Sequence, residues 1–325
     1  MQDSFMKTSS KIAHDLQIIS IPIEEGFLSL RGLSPKRIRF ELEYALEKGS
    51  TDNSFLFTSN DNSNTNNQSP LLVHPPGAIY ADVFLPELLK YLPNNNIELR
   101  IVVGHVNPNR VKLLRLLNEI YPNLELISSN PGAKLLKELW SQCEPKSHNI
   151  QTTNSSFPRL TIIRHEEELS ISNQYHLKLI PAPTPRWPGG LLAFEENTGL
   201  LMSDKFFAAH ICTNDWAENT RNDTEHERRH FYDCLMVSME NQVASVIERL
   251  EELDINSIAP GHGPTIESSW RSLFNDYRKW GEGQQQAFIK VVLLFASAYG
   301  NTATIADALA NGISKTGIRI EILNC

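Results

Sequence analysis

The apolar run Ile101-Val102-Val103 stops at Gly104, and the chain then reads H-V-N-P-N-R through Arg110 before the helix-spaced segment VKLLRLLNEIY at residues 111–121. A short strand that ends in a glycine turn and passes straight into a helix is one step of an alternating β-α fold. It places polar loop residues at the end of a sheet. The neighbouring text repeats the step. LLVH (71–74) reads as a strand, LPELLKYL (85–92) as a short helix, LELISS (124–129) as a strand, and PGAKLLKELW (131–140) as a helix with proline near its start. Upstream, SFLFT (54–58) reads as a strand. It is separated from LLVH by SNDNSNTNNQSP (59–70), a tract too polar to bury and read as an enlarged hairpin loop.

The pattern then turns β-rich. LTIIRH and YHLKLIPAP read as strands, and GLLAFEENTGLLMSD (190–204) as a hairpin turning at Asn197-Thr198-Gly199. The polar NDWAENTRNDTEHERRH (214–230) reads as an irregular surface excursion, and ENQVASVIERLEEL (240–253) as a strong amphipathic helix. SIAPGHGP (257–264) is a strand entering a Gly/Pro loop, and IESSWRSLFNDYRKW is a helix. The connector GEGQQQ (281–286) marks a domain boundary. Beyond it, KVVLLFASAYGNTATIADALANGISKTGIRIEIL reads as a buried strand, a polar turn, a helix and the start of a second strand. A lone β-α-β unit cannot cover both faces of its sheet. The expectation is therefore a first domain over 1–285 and a truncated second domain over 289–325, as a fragment, through a frameshift or as a genuine short form.

Composition narrows the function classes. The 325 residues fit two domains or one large one, and 41% hydrophobic with 21% charged content is ordinary for a globular chain with a real core. A net charge of −8 argues against a nucleic-acid partner, which calls for a basic stripe. No apolar run is long enough to cross a bilayer, and the N-terminal text has no apolar core of a secretory signal. Cys143, Cys212, Cys234 and Cys325 are scattered with no C-x-x-C pair, so a reducing cytoplasm is expected, without a disulfide framework or structural zinc site.

Four Gly/Pro loops that follow strands carry the candidate site: His105 to Arg110, Arg186-Trp187-Pro188, Asp204-Lys205, and Pro260 to Pro264 around His262. Loops at one sheet edge converge, and sites collect there. A single loop histidine is more often a hydrogen-bonded structural residue than a ligand, so the weight lies in the order and spacing of the four together.

In that order and spacing, the chain resembles the flavodiiron proteins of the photosynthetic type, also called diflavin flavoproteins. Residues 1 to about 280 resemble the metallo-β-lactamase-like domain, an α+β αββα sandwich, and residues 289–325 the opening of the α/β flavodoxin-like domain. The stretch LSPKRIRFELEYALEKGSTDNSFLF is also similar to the family. The resemblance implies a non-haem di-iron centre whose ligands come from a His-x-Glu-x-Asp-His loop, a His before Trp-Pro, an Asp after a strand and a His in a Gly/Pro loop. Carried over by position, His105 keeps the first ligand, while Asn107, Asn109 and Arg110 replace the next three. Arg186 replaces the His before Trp-Pro, and Lys205 aligns best with the bridging Asp, with Asp204 as the alternative one residue earlier. His262 keeps the last ligand. No catalytic residue is expected apart from these positions.

Iron with a bridging oxygen takes carboxylates and imidazoles. Asn is a weak neutral donor and Arg offers no lone pair. One cation about 5 Å from a divalent ion costs roughly 7 kcal/mol at an effective dielectric near 20. The expectation is a degenerate site without iron, holding either an anion or buried ion pairs that tie the loops together.

The loop FASAYGNT (295–302) stands where the family cradles the FMN phosphate. Ser297, Ala298, Tyr299, Gly300, Asn301 and Thr302 are the candidate contacts, with backbone N–H groups at a helix start and a glycine that permits close approach. The later loops that stack on the flavin ring are missing, so the FMN site is expected to be incomplete. The resemblance implies an oxidoreductase passing electrons from NAD(P)H through FMN toward reduction of oxygen to water, as a homo- or hetero-oligomer with a flavodiiron paralogue that carries the intact di-iron site. The alternatives are a non-catalytic interaction or regulatory subunit with an anion pocket and, with less support, a metallo-β-lactamase-fold hydrolase.

Overall fold

In the central strands of the first unit, neighbouring residues serve two different cores. The computed structural model describes residues 15–40, 44–58, 69–142, 156–285, 290–297 and 300–324, and the chain divides into compact units at 1–278 and 279–325. The first unit contains β1 (Gln17–Glu24), β2 (Phe27–Ser34), β3 (Arg39–Phe40), β4 (Tyr44–Ala45), β5 (Ser50–Phe57), β6 (Leu71–Val73), β7 (Arg100–Val102), β8 (Glu125–Ser129) and β9 (Arg159–Ile163). Strands β10 (Glu167–Ser170), β11 (His176–Pro181), β12 (Leu191–Glu195), β13 (Leu200–Asp204) and β14 (Ser257–Pro260) follow. They form a seven-stranded sheet, β1-β2-β5-β6-β7-β8-β9, and a five-stranded sheet, β10-β11-β12-β13-β14.

Strand alternation sorts the side chains of the larger sheet. Leu56, Leu72, Ile101 and Leu126 join the core on its outer face, whereas Phe55, Phe57, Leu71, Val73, Val102 and Ile127 meet the other sheet. The second sheet answers with Leu177, Leu179, Leu191, Ala193, Leu200, Met202 and Ala259. A sheet buried on both faces reads as a continuous apolar run, which is why the short strands at 71–73 and 100–102 show no polar alternation in the sequence.

The outer face of the larger sheet is covered by helices α1 (Ala81–Tyr91), α2 (Pro108–Ile120) and α3 (Asn130–Gln142), through Phe84, Leu88, Val111, Leu114, Leu117, Leu136 and Trp140. Helices α4 (Asn222–Leu235) and α5 (Glu240–Leu250) follow in this unit, and α6 (Trp270–Gln285) begins in it and runs past residue 278. They bury Phe231, Tyr232, Val243, Val246, Ile247, Leu250, Phe274 and Tyr277. The layers are the expected αββα sandwich.

Several expectations need correction. Residues 222–235 are a helix, not an irregular excursion. The polarity of 222–230 misleads because the inward side chains of that part are themselves polar: Arg228 is buried and pairs with Glu218 at 2.8 Å, and Thr224 donates to the same carboxylate at 2.6 Å. Glu167–Ser170 forms a strand that the sequence reading lacks, exposed except for Leu169 and paired with β11. Residues 281–285 of the connector continue α6, because its glycines interrupt but do not end a helix already anchored by Trp270, Phe274 and Tyr277. Ser50–Asn53 extend β5 although they are polar, since their side chains and backbone hold the His262 loop. The antiparallel register Phe57↔Leu71 spans the polar tract; residues 59–68 of that tract lie outside the described residues.

The second unit contains β15 (Lys290–Phe295), α7 (Asn301–Ser314) and β16 (Arg319–Asn324), the two strands parallel with Val291 opposite Ile320. Ala306 and Ala310 are buried, while Val292, Leu294, Ile305, Leu309, Ile322 and Leu323 are exposed. The strand read as buried is thus open on one face.

Candidate functional site

The four loops converge in the first unit, and the site is built from their hydrogen bonds. Asn107 is the N-cap of α2: its Oδ1 accepts from the Arg110 N–H at 2.8 Å, and Pro108 supplies the first helical residue. The same turn sends Arg110 inward, where it is buried with His105. His105 Nδ1 lies 2.7 Å from Asp204 Oδ2, and its Nε2 lies 3.1 Å from the Asn107 amide nitrogen. A carboxylate only accepts and an amide nitrogen only donates. The ring is therefore the Nδ1–H tautomer, donating to Asp204 and accepting from Asn107. Arg110 Nη1 stands 2.8 Å from the same Nδ1, where a second donor makes no hydrogen bond to this tautomer, and it donates instead to the His105 carbonyl at 3.3 Å, with Asp204 Oδ1 at 3.7 Å.

The other half of the pocket repeats the logic. His262 Nδ1 lies 2.8 Å from the Thr51 carbonyl, and Lys205 Nζ lies 2.8 Å from His262 Nε2. The carbonyl takes the Nδ1–H, so the Nε2 lone pair accepts from the Lys205 ammonium. Lys205 also sits over the Phe40 ring at 4.8 Å, a cation–π contact. His210 packs its ring 4.6 Å from that of His262 and holds Ser50 Oγ at 2.8 Å. Asn53 donates to the Pro260 and Gly263 carbonyls and fixes the His262 loop from behind.

A strand sends consecutive side chains to opposite faces, yet Asp204 and Lys205 are both buried in the pocket. The cause is backbone: Asp204 has φ 48°, in the left-handed region, and the pairing of β13 with β14 slips between Met202 and Asp204. Gly261 is required beside it, since a Cβ there would meet the Asp204 carbonyl at 2.7 Å. The Lys205 assignment and its Asp204 alternative thus occupy different halves, Asp204 against His105 and Lys205 against His262.

The electrostatics follow from burial. Burial works against the Asp204 carboxylate, and the adjacent His105 and Arg110 outweigh it, holding its pKa well below the usual carboxylate range. Burial, then Arg110, push His105 down to about 3, so the imidazole is neutral at pH 7. Burial and Lys205 likewise depress His262. His74 belongs to this group although no sequence motif marked it. It has φ 55°, its Nε2 donates to the Leu191 carbonyl at 3.0 Å, and burial pushes its pKa down to about 4. It lies beside Gly104, where a Cβ would stand 2.6 Å from its ring and 2.9 Å from the Asp204 carboxyl carbon. A His directly after LLV carries no spacing signal, and its proximity to Asp204 arises only through the fold.

The remaining candidates lie at the margin. Asn109 is exposed on the first turn of α2. Arg186 is half-buried, with its guanidinium 5.7 Å from the Trp187 ring and its N–H directed at Met239 Sδ. Among the described residues no three His, Cys, Asp or Glu side chains are grouped to hold a metal. In the second unit, the Gly300 N–H donates to Ser297 Oγ at 3.0 Å, Gly300 has φ 85°, and Asn301 and Thr302 open α7 at its exposed N-terminus. Ala298 and Tyr299 lie outside the described residues. No helix among the described residues is long and apolar enough to cross a membrane.

Residues 53–263 match the model of the ODP family beta lactamase. A diflavin flavoprotein A 6 of Nostoc sp. is 36% identical over 311 residues, covering 96% of this chain and 50% of the relative. A metal-soaked Flv1 flavodiiron core from Synechocystis sp. superposes with a TM-score of 0.74 at 32% identity, covering 95% of this chain and 72% of that one. A fragment of diflavin flavoprotein A 5 from Nostoc sp. gives a TM-score of 0.71 at 28% identity, with 84% and 100% covered. The chain spans about half the length of the curated relatives it matches.

Proposed function

This chain belongs to the flavodiiron family, the diflavin flavoproteins, through its ODP-type beta-lactamase module, and from that premise we propose that it is a redox-family subunit whose iron pocket has been rebuilt as a self-satisfied polar core. Oxygen reduction then falls to a relative with the full ligand set, and this chain assembles beside it.

One observation carries the reading. The two retained histidines have their Nε2 lone pairs occupied by residues at substituted ligand positions: Asn107 caps His105, and Lys205 caps His262. Asp204, the carboxylate at the centre, is held by His105 and Arg110. An iron pair takes carboxylate and imidazole donors, and here Asp204, His105 and His262 are turned to internal partners with two cations alongside, while the buried His74 Nδ1 has none among the described residues. The residues present do not fit a di-iron centre. A metal-bound water for hydrolysis meets the same obstacle, which disfavours the hydrolase reading. The anion-pocket reading is also less favoured, since Lys205 and Arg110 point at His262 and at the His105 and Asp204 groups.

The second unit fits a phosphate better than the first fits iron. Ser297, Gly300, Asn301 and Thr302 gather at the N-terminus of α7, where backbone N–H groups favour an anion. FMN bound there would supply one- and two-electron transfer, and these residues would hold its phosphate.

The test is iron per chain after anaerobic incubation with ferrous iron and desalting, on protein purified without a relative. A value near zero is expected. A pair of irons per chain would overturn the proposal. Co-elution with a full-ligand relative on mixing is the companion result expected of a subunit, and elution of the two proteins apart speaks against assembly.

A further inference from the structure

Residues 226–230 read His-Glu-Arg-Arg-His, and all five lie on α4. Side chains four apart on a helix share one face, one turn above the other. The His226 and His230 rings face each other with centroids 6.4 Å apart and planes inclined by 21°. Both are exposed, whereas Arg228 between them turns inward to Glu218. The two imidazoles line a cavity of about 350 Å³ together with Glu227, His210, Lys48 and Leu46. His210 alone is shared with the degenerate pocket, where its ring packs 4.6 Å from that of His262; the two exposed histidines lie outside the four loops.

We propose that His226 and His230 together bind one late divalent transition-metal ion, of the zinc, nickel or copper class, at the mouth of this cavity. Imidazole suits these ions, with Zn–N near 2.0–2.1 Å. Both rings are on solvent-facing side chains, so rotation about their own bonds closes the pair on an ion without moving α4. Two protein donors leave coordination positions for water or for a small ligand seated in the cavity.

The motif resembles that of zinc hydrolases, where the glutamate acts as general base. Here Glu227 Oε1 is paired with Lys48 Nζ at 2.6 Å and stands 3.7 Å from His226 Nδ1. The carboxylate is committed to the Lys48 ion pair and lies beyond hydrogen-bond reach of His226, so the site is assigned to binding and not to hydrolysis. Cys234 lies one turn further, with Sγ 3.7 Å and 3.9 Å from the two ring nitrogens of His230. It is too far along the helix from His226 to share an ion with it, since eight residues span about 12 Å.

The test is zinc titration of the full chain, stripped with a chelator, in competition with a chromophoric chelator. One equivalent per chain is expected. Loss of an outer partner alone costs about 10–100-fold in metal affinity, so His226→Ala and His230→Ala are each expected to weaken binding by at least that much. Cys234→Ser is expected to bind as the wild type does. Zinc should raise the thermal midpoint of the wild type but not of the histidine variants, whose exposed positions leave folding intact. The absence of saturable binding, equal binding by the alanine variants, or loss of binding in Cys234→Ser would each overturn the assignment.

Discussion

The loop-lined pocket of the first unit and the phosphate-type loop of the second were built from similar sequence material, a strand running into a small polar turn before a helix, and they ended differently. In the pocket, His105, Arg110, Asp204, Lys205 and His262 are all buried, and each has an internal partner. In the loop, Gly300, Asn301 and Thr302 are exposed, and the Gly300 N–H donates to Ser297 Oγ. Burial makes the difference. A polar group removed from water must find a partner or cost several kcal/mol, so a buried site that loses its ligand chemistry has to rewire completely. An exposed loop keeps its donors on water and stays available to an anion.

The sharpest way to break this contrast is Asp204→Asn. It keeps the shape and tolerates the left-handed backbone, but strips the counter-charge from Arg110. Breaking a buried pair costs about 3–5 kcal/mol, and denaturant unfolding should show a loss of that size. An unchanged midpoint would mean that the pocket is not held by charge.

A pH series comes next in size. His74 titrates near 4 in the folded protein and near 6.5 when unfolded. Between those values the unfolded chain binds the extra proton, so stability falls as pH is lowered, by about 1.4 kcal/mol per unit for this one residue, and is fully present above pH 6.5. His105, pushed down to about 3, adds in the same direction. Asp204, held low, contributes stability above the ordinary carboxylate range that is lost only at more acid pH. Unfolding measured from pH 7 to 4 should slope accordingly, and His74→Asn, at a position whose φ suits Asn, should flatten part of the slope.

Asn107→Ala removes a helix cap and the donor to His105 Nε2 together. A loss of about 1 kcal/mol is expected from the cap alone, read in the same denaturant experiment. It also exposes the Nε2 lone pair, so a gain in metal binding by this variant would tie the cap to the proposed loss of the iron site. The smallest effect belongs to the other region. Ser297→Ala should change stability by no more than about 0.5 kcal/mol, while weakening any FMN or inorganic phosphate seen by fluorescence or calorimetry.

Much of this was legible in the sequence. The strands at 71–73, 100–102 and 125–129 and helices α2, α3 and α5 follow from apolar runs and helical spacing, and the four loops follow from Gly/Pro punctuation at the strand ends. The first half of helix α4 was not legible, because its buried side chains there are Thr224 and Arg228 against Glu218, a partner outside the helix. Nor was strand β5 at Ser50–Asn53, where polar residues are buried to serve a loop more than 200 residues away.

The sequence by itself determined which layers form and which residue types reach the pocket, since periodicity and turn chemistry are local properties. The tertiary structure alone decided who pairs with whom. His105 meets Asp204 across 99 residues and Lys205 meets His262 across 57, and neither pairing has a spacing rule. The left-handed turn at Asp204 aims two consecutive side chains into different halves of the pocket. Exclusion of water then favours pairing each buried polar group with whatever donor or acceptor the fold has brought within reach, as at His105 and His262, although His74 Nδ1 is left without one among the described residues.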